Sequence, residues 1–311
     1  MESRKERREQ HTEKKSRKKK IIAIIIILLL IIGGLLAYLY YKVGQTVDEM
    51  HTPVEAINQE EVKDAIDNKE TINILLLGVD EREGDVGRSD TMVLASLNPH
   101  TNEMLRFNIP RDTFVEIPGR GMDKINHAYA FGGSDLSVQT VENFLDTEVH
   151  FYSRINMEGL QDVVDAIGGV TVTNDQAFSH GGHDFREGEI DLNGEQALIF
   201  SRMRKQDPEG DLGRNDRQQQ IIDAFMDEAA SFDSVARVNP LLDAAGTNAE
   251  SNVEMDDMRN LFLHYRGARD ETIKEEIQGS GQRMNGLWYY VVSDEEQQRI
   301  RSLLSEHMEA R

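Results

Sequence analysis

Two aspartates and two arginines fall at the ends of three neighbouring apolar stretches, where folding could bring them together. The stretches Ile72–Val79, Thr91–Asn98 and Glu103–Ile109 have the composition and alternation of β-strands. If they form an antiparallel meander, the charged residues meet at one end of the sheet. Carboxylates beside guanidinium groups can hold a divalent cation together with a phosphate. The four residues are Asp80, Arg88, Asp90 and Arg111.

A second group of cations lies in the window 202–217, which carries five Lys/Arg inside a strongly acidic chain. Asn193 is expected to cap a short helix just before it, and Arg214 to open a longer helix. Arg214 and Gln218 are four residues apart and share one side of that helix. Arginine suits bidentate phosphate contacts, and a helix N-terminus adds partial positive charge. The alternative for both clusters is local ion pairing, which implies no function.

The first 41 residues predict a membrane anchor. Met1–Lys20 carries ten Lys/Arg and four Glu, a net charge of +6; since the whole chain is −21, the rest carries −27. Ile21–Tyr41 contains no charge and is long enough to span a bilayer. The basic flank predicts a cytoplasmic N-terminus and an exported body, a single-pass type II arrangement in the cell membrane. A cleaved signal peptide is the alternative, but the apolar run is too long for one.

Other function classes find little support in the residues. The acidic body would repel nucleic acid, and the basic tail is explained by membrane topology. The chain lacks cysteine and the motifs of serine hydrolases and zinc proteases. His180 and His183 stand in a glycine-containing loop, where the absence of a third firm ligand favours a polar loop over a metal site.

The remaining pattern predicts a layered α/β or α+β domain at 71–311 after a stalk at 42–70. Ser134 or Asp135 is expected to cap a helix that ends near Leu145. Gly159–Ile167 is a second amphipathic helix, followed by a strand that starts at Val170. A final helix is expected from about Asp294. Strands, helices and a further strand in this order indicate layers around one sheet.

Six motifs in this order resemble the LytR–CpsA–Psr family, and within it the wall teichoic acid transferases of Gram-positive bacteria. The resemblance covers about Ile72–Ala230, the motif-bearing core. The motifs are GVD at Gly78–Asp80, RSDTM at Arg88–Met92, IPRDT at Ile109–Thr113, KINHAYA at Lys124–Ala130, RMR at Arg202–Arg204 and DLGRNDRQQQ at Asp211–Gln220.

The resemblance implies a three-layer α-β-α sandwich around a mixed central sheet, preceded by one N-terminal transmembrane helix. It also implies an extracellular phosphotransferase that moves an anionic glycopolymer from an undecaprenyl-pyrophosphate carrier to a peptidoglycan muramic acid hydroxyl, with Mg²⁺ or Mn²⁺. The implied catalytic residues are Asp80, Asp90 and Arg111, of which the two aspartates are also the metal ligands. The implied pyrophosphate-binding residues are Arg88, Arg111, Arg202, Arg204 and Arg214, with Asp211 and Gln218 nearby.

Several alternatives stay open at this stage. Asp80 or Asp90 is the candidate general base, with Asp211 behind them. A lipid-pyrophosphate-binding regulator and a pyrophosphate hydrolase are the competing functions. Apolar helix residues are candidates for a lipid tunnel, although such stripes usually form plain core; they are Val138, Val141, Phe144, Val163, Ile167, Ile222 and Phe225.

Overall fold

The computed structural model describes residues 4–80, 87–203, 207, 211–230, 237–269 and 271–311. The chain divides into two compact units, Met1–Gln45 and Thr46–Arg311. The first unit is helical and belongs to α1, Arg4–Met50. Within α1 the stretch Ile24–Met50 is long and apolar enough to cross a membrane, by length and composition.

A mixed six-stranded sheet forms the centre of the second unit. Its strands are β1 (Ile72–Val79), β2 (Ser89–Asn98), β3 (Glu103–Asn108), β6 (Phe151–Asn156), β11 (Ala249–Ser251) and β12 (Glu271–Glu276). Their order is β11-β6-β1-β2-β3-β12. The β1–β2 and β2–β3 pairs are antiparallel, whereas β6 runs parallel to β1 and β12 parallel to β3. The predicted meander and mixed sheet are therefore confirmed.

Helices cover both faces of the sheet, and small hairpins extend from it. The helices are α2 (Gln59–Asn68), α3 (His127–Leu145), α4 (Met157–Ile167), α5 (Gly194–Arg202), α6 (Asp211–Ala230), α7 (Val238–Asn248), α8 (Met255–His264) and α9 (Asp294–Glu309), with a 3-10 helix at Arg266–Arg269. The other strands are β4 (Phe114–Ile117), β5 (Gly121–Lys124), β7 (Val170–Asn174), β8 (Phe178–His180), β9 (His183–Phe185), β10 (Gly188–Leu192), β13 (Ser280–Met284) and β14 (Leu287–Val291).

The two faces of the sheet pack against different layers. On one face, Leu77, Leu94 and Phe107 are buried in a hydrophobic core shared with α2, α3 and α9. A second core lies among α4, α5, α6, β7 and β10. Helix α6 covers part of the other sheet face, because Gly78 lies against Ile222 of that helix. The architecture is the expected α-β-α sandwich.

Local sequence signals explain most helix boundaries. Asn193 caps α5 in a capping box with Gln196, as expected. Helix α3 begins seven residues before Ser134, the earliest predicted start, and is kinked at Gly132 and Gly133, whose backbone angles are not helical. The helical segment after the kink begins directly after Gly133, as the predicted start at Ser134 or Asp135 implies. The Asp135 carboxylate is not used as a cap, because it accepts a hydrogen bond from the Ala56 N–H at 2.8 Å.

The segment before β1 contributes to the folded unit. Ile57, Val62 and Ile66 are buried in the core of the first face. Asn58 caps α2, and Lys69 ends it in a left-handed conformation. Part of the region expected as a stalk therefore packs against the sheet layer, while the full division of the chain into tail, anchor, stalk and catalytic domain stays a prediction.

Candidate active site

A β-bulge places Asp90 at the end of the central sheet. Gly78 pairs with Thr91, but the next residue, Val79, pairs with Ser89, so Asp90 is the extra residue of β2. A bulge bends its strand and redirects a side chain. The Asp90 carboxylate lies 2.7 Å from Nη1 of Arg111, and both side chains are 12% exposed. The turn after β3 thus brings Arg111 back to the same edge.

Asp80 and Arg88 flank the loop between β1 and β2. The Asp80 backbone N–H donates to the Arg88 carbonyl oxygen at 3.2 Å, which closes the two ends of that loop. Asp80 is half-buried and Arg88 is exposed. The backbone of both residues therefore lies at the sheet end from which Asp90 also projects.

Helix α6 approaches this end of the sheet from the other layer. A Cβ atom on Gly78 would lie 3.2 Å from Ile222 Cδ1, so glycine at this position lets α6 pack closely on β1. Gln218 lies one turn before Ile222 and Arg214 one turn earlier still, in the direction of the Asp80 end. Gln218 is buried, and within the described part of the chain its Oε1 atom has no hydrogen-bond partner. A buried amide oxygen without a partner is costly unless a ligand or water satisfies it.

The remaining predicted residues are placed less completely. Arg202 is exposed and is the last residue of α5. Arg204 lies outside the described residues. Asp211 begins α6, but its side chain is not among those described. Among these predicted residues, the described structure therefore shows a direct side-chain contact between Asp90 and Arg111.

A cavity of about 460 Å³ opens beside the ion pair of Asp90 and Arg111. The turn after β3 forms one wall and α6 forms another, with Asp216 and Gln219 among its residues. The third wall comes from the C-terminal hairpin β13–β14. The ion pair is thus accessible from a cavity rather than enclosed in the core.

Comparison with known proteins identifies the family. The LytR_cpsA_psr family profile matches residues 37–306. The chain belongs to the LytR–CpsA–Psr family. It is 53% identical over 287 residues to the polyisoprenyl-teichoic acid–peptidoglycan teichoic acid transferase TagU of Oceanobacillus iheyensis, with 89% of each chain covered.

Solved structures of family members resemble the folded unit. Bacillus subtilis TagU has a TM-score of 0.60 and 38% identity, covering 78% of this chain and 99% of that one. A structure described as TagT bound to LI-WTA has a TM-score of 0.63 and 31% identity, covering 78% of this chain and 92% of that one.

The LytR–CpsA–Psr motifs do not include a buried arginine that the structure places under α6. Arg106 on β3 is 1% exposed, and its Nη2 lies 3.2 Å from the Asp223 carboxylate of α6. Asp223 lines the cavity. A sequence signal did exist, since Arg106 stands between two apolar residues in a strand, where its side chain must point to the opposite face. The sequence interpretation missed it because the strand was read by its apolar residues alone.

A second buried arginine supports α6 from the opposite side. Arg217 donates to the Met203 carbonyl oxygen at 2.6 Å and pairs with the Asp207 carboxylate. Its guanidinium lies over the rings of Phe178 and Phe200. Arg217 shares a helix with Arg214 but is held in the hydrophobic core, so its contacts are structural.

Most of the residues considered as lipid-tunnel lining are buried in the two hydrophobic cores. Phe225 is half-buried and packs against the second core. The buried members are Val138, Val141, Phe144, Val163, Ile167 and Ile222.

The described residues contain no group of three or more His, Cys, Asp or Glu that could hold a metal ion by itself. His180 and His183 pair with each other across the exposed β8–β9 hairpin. Asp80 and Asp90 offer hard oxygen ligands of the kind that Mg²⁺ prefers. Mg²⁺ commonly takes only one or two protein carboxylates and completes its shell with phosphate and water. Two aspartates therefore fit a metal held jointly with a phosphate ligand.

Proposed function

We propose that this chain is a membrane-anchored phosphotransferase that moves a teichoic acid from a polyprenyl-pyrophosphate carrier to peptidoglycan. The observation that carries the proposal is the 53% identity to TagU over 89% of both chains. The ion pair of Asp90 and Arg111 beside a cavity supports it chemically. The carrier is undecaprenyl pyrophosphate, and the acceptor group is a muramic acid hydroxyl.

Arg111 binds the pyrophosphate of the donor in this mechanism. Its planar guanidinium offers two parallel N–H donors to phosphate oxygens. Phosphoryl transfer depends mainly on positioning and on neutralising charge in the transition state. The guanidinium therefore stabilises the negative charge that develops as the lipid phosphate leaves.

The remaining arginines extend this binding site. Arg214 lies in the first turn of α6, where the helix N-terminus adds partial positive charge. Together, these positive charges neutralise the negative charge of both phosphate groups. The proposed pyrophosphate-binding residues are Arg88, Arg111, Arg202, Arg204 and Arg214, with Asp211 and Gln218 as polar neighbours.

The acceptor hydroxyl oxygen attacks the sugar-linked phosphorus, and the bond from that phosphorus to the bridging oxygen breaks. The products are a phosphodiester on peptidoglycan and polyprenyl phosphate. A carboxylate takes the proton of the attacking hydroxyl, and Asp80 or Asp90 is the proposed base, with Asp211 behind them. Asp80 and Asp90 would also hold Mg²⁺ or Mn²⁺, which supplies further charge neutralisation to the phosphates.

The anchor sets where this reaction occurs. One apolar helix at the N-terminus, preceded by a basic tail, supports a single-pass type II topology with the tail in the cytoplasm. The catalytic domain then faces the cell wall, where both the lipid-linked donor and the peptidoglycan acceptor are present.

The proposal is tested with the full-length protein in detergent, a polyprenyl-pyrophosphate-linked teichoic acid and peptidoglycan fragments. Arg111→Ala should reduce transfer at least about 100-fold, because it removes a bidentate phosphate contact. Arg111→Lys should recover only part of the rate. Arg259→Ala is the matched control, since Arg259 is exposed on α8, pairs with Asp256 and does not line the cavity. Unchanged transfer by Arg111→Ala would reject the assignment.

The same assay separates the competing functions. A hydrolase releases polyprenyl phosphate equally with and without the peptidoglycan acceptor. A regulator binds the lipid donor without turnover, and divalent-metal chelation leaves its behaviour unchanged. A transferase consumes the donor faster when the acceptor is added and loses activity on chelation.

A further inference from the structure

The cavity beside Arg111 has a wall that takes no part in the donor chemistry described above. This wall is the hairpin β13–β14, which contributes Trp288 and Tyr290 to the cavity. The hairpin is attached next to the ion pair, because the Tyr290 N–H donates to the Asp112 carbonyl oxygen at 2.8 Å. The Tyr290 hydroxyl donates to the Ile277 carbonyl oxygen at 2.9 Å, which orients that ring.

Two glycines on the hairpin make room for these rings. A Cβ on Gly281 would overlap the indole Cζ2 and Cη2 atoms of Trp288, and a Cβ on Gly279 would lie 2.5 Å from Cε1 of Tyr290, which is also an overlap. Neither glycine has a positive φ. The glycines are therefore required by the packing of the rings and not by the backbone conformation. The indole remains 38% exposed although it is the largest apolar side chain on the hairpin.

Away from Arg111, the carboxylates of the cavity disfavour an anionic ligand along this wall. Its described lining residues carry five carboxylates and one guanidinium. Asp223 is held in place by the buried Arg106. Glu276 is the carboxylate nearest the hairpin in sequence. A second pyrophosphate or an anionic polymer would be repelled at close range by these carboxylates, whereas a ligand rich in hydroxyl and amide groups would find acceptors for its hydrogen bonds.

Two enclosed amide oxygens give an independent sign of a ligand. Asn108 at the end of β3 and Gln220 on α6 both line the cavity. The Oδ1 atom of Asn108 and the Oε1 atom of Gln220 are buried and have no hydrogen-bond partner among the described residues. Enclosed polar atoms without partners are uncommon because each one costs free energy until something satisfies it.

We propose that this cavity is the acceptor subsite, in which Trp288 stacks on a ring of an N-acetylated glycan strand while Asp223, Asn108 and Gln220 bind its hydroxyl and acetamido groups. The inference rests on the proposed transferase function. One side of a pyranose ring presents C–H groups that pack on an aromatic face, and the edges of the ring present hydroxyl groups. Because Asp90 and Arg111 lie in the same cavity, a bound acceptor hydroxyl comes next to the donor phosphate.

The chain contains a single tryptophan, so the subsite carries its own fluorescent reporter. Full-length protein in detergent is titrated with a soluble tetrasaccharide of alternating N-acetylglucosamine and N-acetylmuramic acid, whose lactyl carboxyl groups are capped as amides so that the ligand is uncharged. Stacking should shift the Trp288 emission to shorter wavelength and reduce its quenching by acrylamide about twofold or more, with saturation. An unchanged emission and quenching at tetrasaccharide concentrations that saturate transfer would overturn the proposal.

Substitutions on the hairpin provide a second test. Trp288→Ala should raise the acceptor KM about tenfold with little change in kcat, and Trp288→Phe should have a smaller effect. Gly281→Ala should also raise this KM, because its methyl group displaces the indole. Leu287→Ala is the matched control, since Leu287 is 54% exposed on the same strand and does not line the cavity. An acceptor KM for Trp288→Ala equal to that of the control contradicts the proposal.

The outcomes separate this inference from the function on which it rests. If transfer is normal but neither the Trp288 fluorescence nor the acceptor KM changes, the subsite is rejected and the transferase function is retained. Saturable stacking of the tetrasaccharide without any transfer from the lipid donor rejects the transferase and retains a glycan-binding cavity.

Discussion

The two faces of the central sheet have opposite characters. Toward α3 and α9, Leu77, Leu94 and Phe107 are at most 1% exposed and belong to one continuous apolar core. Toward α6, Leu76 is only half-buried although it lies on a central strand, and Arg106 occupies a position where an aliphatic residue would be ordinary. One strand therefore contributes to both environments through alternate residues.

The difference indicates that one face of the sheet serves stability and the other serves the candidate site. The apolar face supplies the burial that stabilises the domain, at about 25 cal/mol per Å² of apolar surface removed from water. The polar face buries less apolar surface, because charged groups occupy part of it next to the cavity. Substitutions on the first face should therefore act mainly on stability, and substitutions on the second face should act on binding and turnover.

Phe107→Ala should produce the largest loss of stability. Phe107 is fully buried on the apolar face, and such a truncation costs about 3–5 kcal/mol. Urea unfolding of the detergent-solubilised chain measures this loss, and transfer per folded molecule should stay within about twofold of wild type. Phe262→Ala is the control, because Phe262 is 65% exposed. Equal losses for both variants would remove the distinction between core and surface.

Arg106→Met should cost about 3 kcal/mol, because it leaves the Asp223 carboxylate without its buried partner. The double variant Arg106→Met with Asp223→Leu should recover most of that stability, since a buried ion pair can often be replaced by apolar residues. The recovered protein should still bind acceptor poorly. A double variant no more stable than the single one would show that the pair is not the source of the effect.

Acidification should weaken the apolar side through His150. Burial lowers the pKa of His150 to about 4, and its Nδ1 accepts a hydrogen bond from the Asn73 N–H at 3.1 Å. Between pH 6.5 and 5 the unfolded chain binds a proton at this residue and the native chain does not. The free energy of unfolding should therefore fall by about 2 kcal/mol over that range.

His150→Asn keeps a hydrogen-bond acceptor and removes this titration, so its stability should depend less on pH in urea unfolding at pH 5 and 7. The same substitution at the exposed His264 serves as the control and should leave the wild-type pH dependence. Identical profiles for His150→Asn and wild type would show that other groups cause the acid sensitivity. Part of the remaining slope should come from His307, whose pKa is also lowered by burial.

Asn193→Ala should have the smallest effect, a loss of about 1 kcal/mol from the capping box of α5. Because α5 ends at Arg202, the substitution should also loosen the helix that presents this arginine on the α6 side of the sheet. Asn193→Ser retains a side-chain acceptor and should cost less than half as much. A lower unfolding temperature for Asn193→Ser than for Asn193→Ala would contradict the capping explanation.

Local sequence patterns predicted the elements of this fold well. The alternation in β1–β3, the asparagine before α5 and the apolar stripe of α4 each describe contacts within a few residues, and the structure confirms them. The predicted helix start at Ser134 or Asp135 agrees with the segment of α3 that follows the non-helical Gly132 and Gly133, but the helical segment that begins at His127 was not predicted. A pair of glycines marks a break in a helix but does not say whether a helix precedes it.

In the candidate site, local sequence patterns also failed to predict contacts between segments that are distant in the chain. The sequence motifs selected Asp90 and Arg111, and the meander explains why they meet. The sequence did not select Arg106, Asp223 or Trp288, because their roles depend on elements more than a hundred residues apart in the chain. The contact between Asp90 and Arg111 is observed. The proposed roles stay predictions for all the site residues, which are Asp80, Arg88, Asp90, Arg111, Arg202, Arg204, Asp211, Arg214 and Gln218.

By itself, the sequence determined the long apolar helix near the N-terminus, the strands of the meander and the family motifs, because each depends on residue type and short-range spacing. Only the tertiary structure decided that a bulge sets Asp90 against Arg111, that Arg106 reaches across to α6 and that a C-terminal hairpin closes the cavity. Those contacts join distant segments, and their geometry depends on how the layers pack rather than on any local preference of the chain.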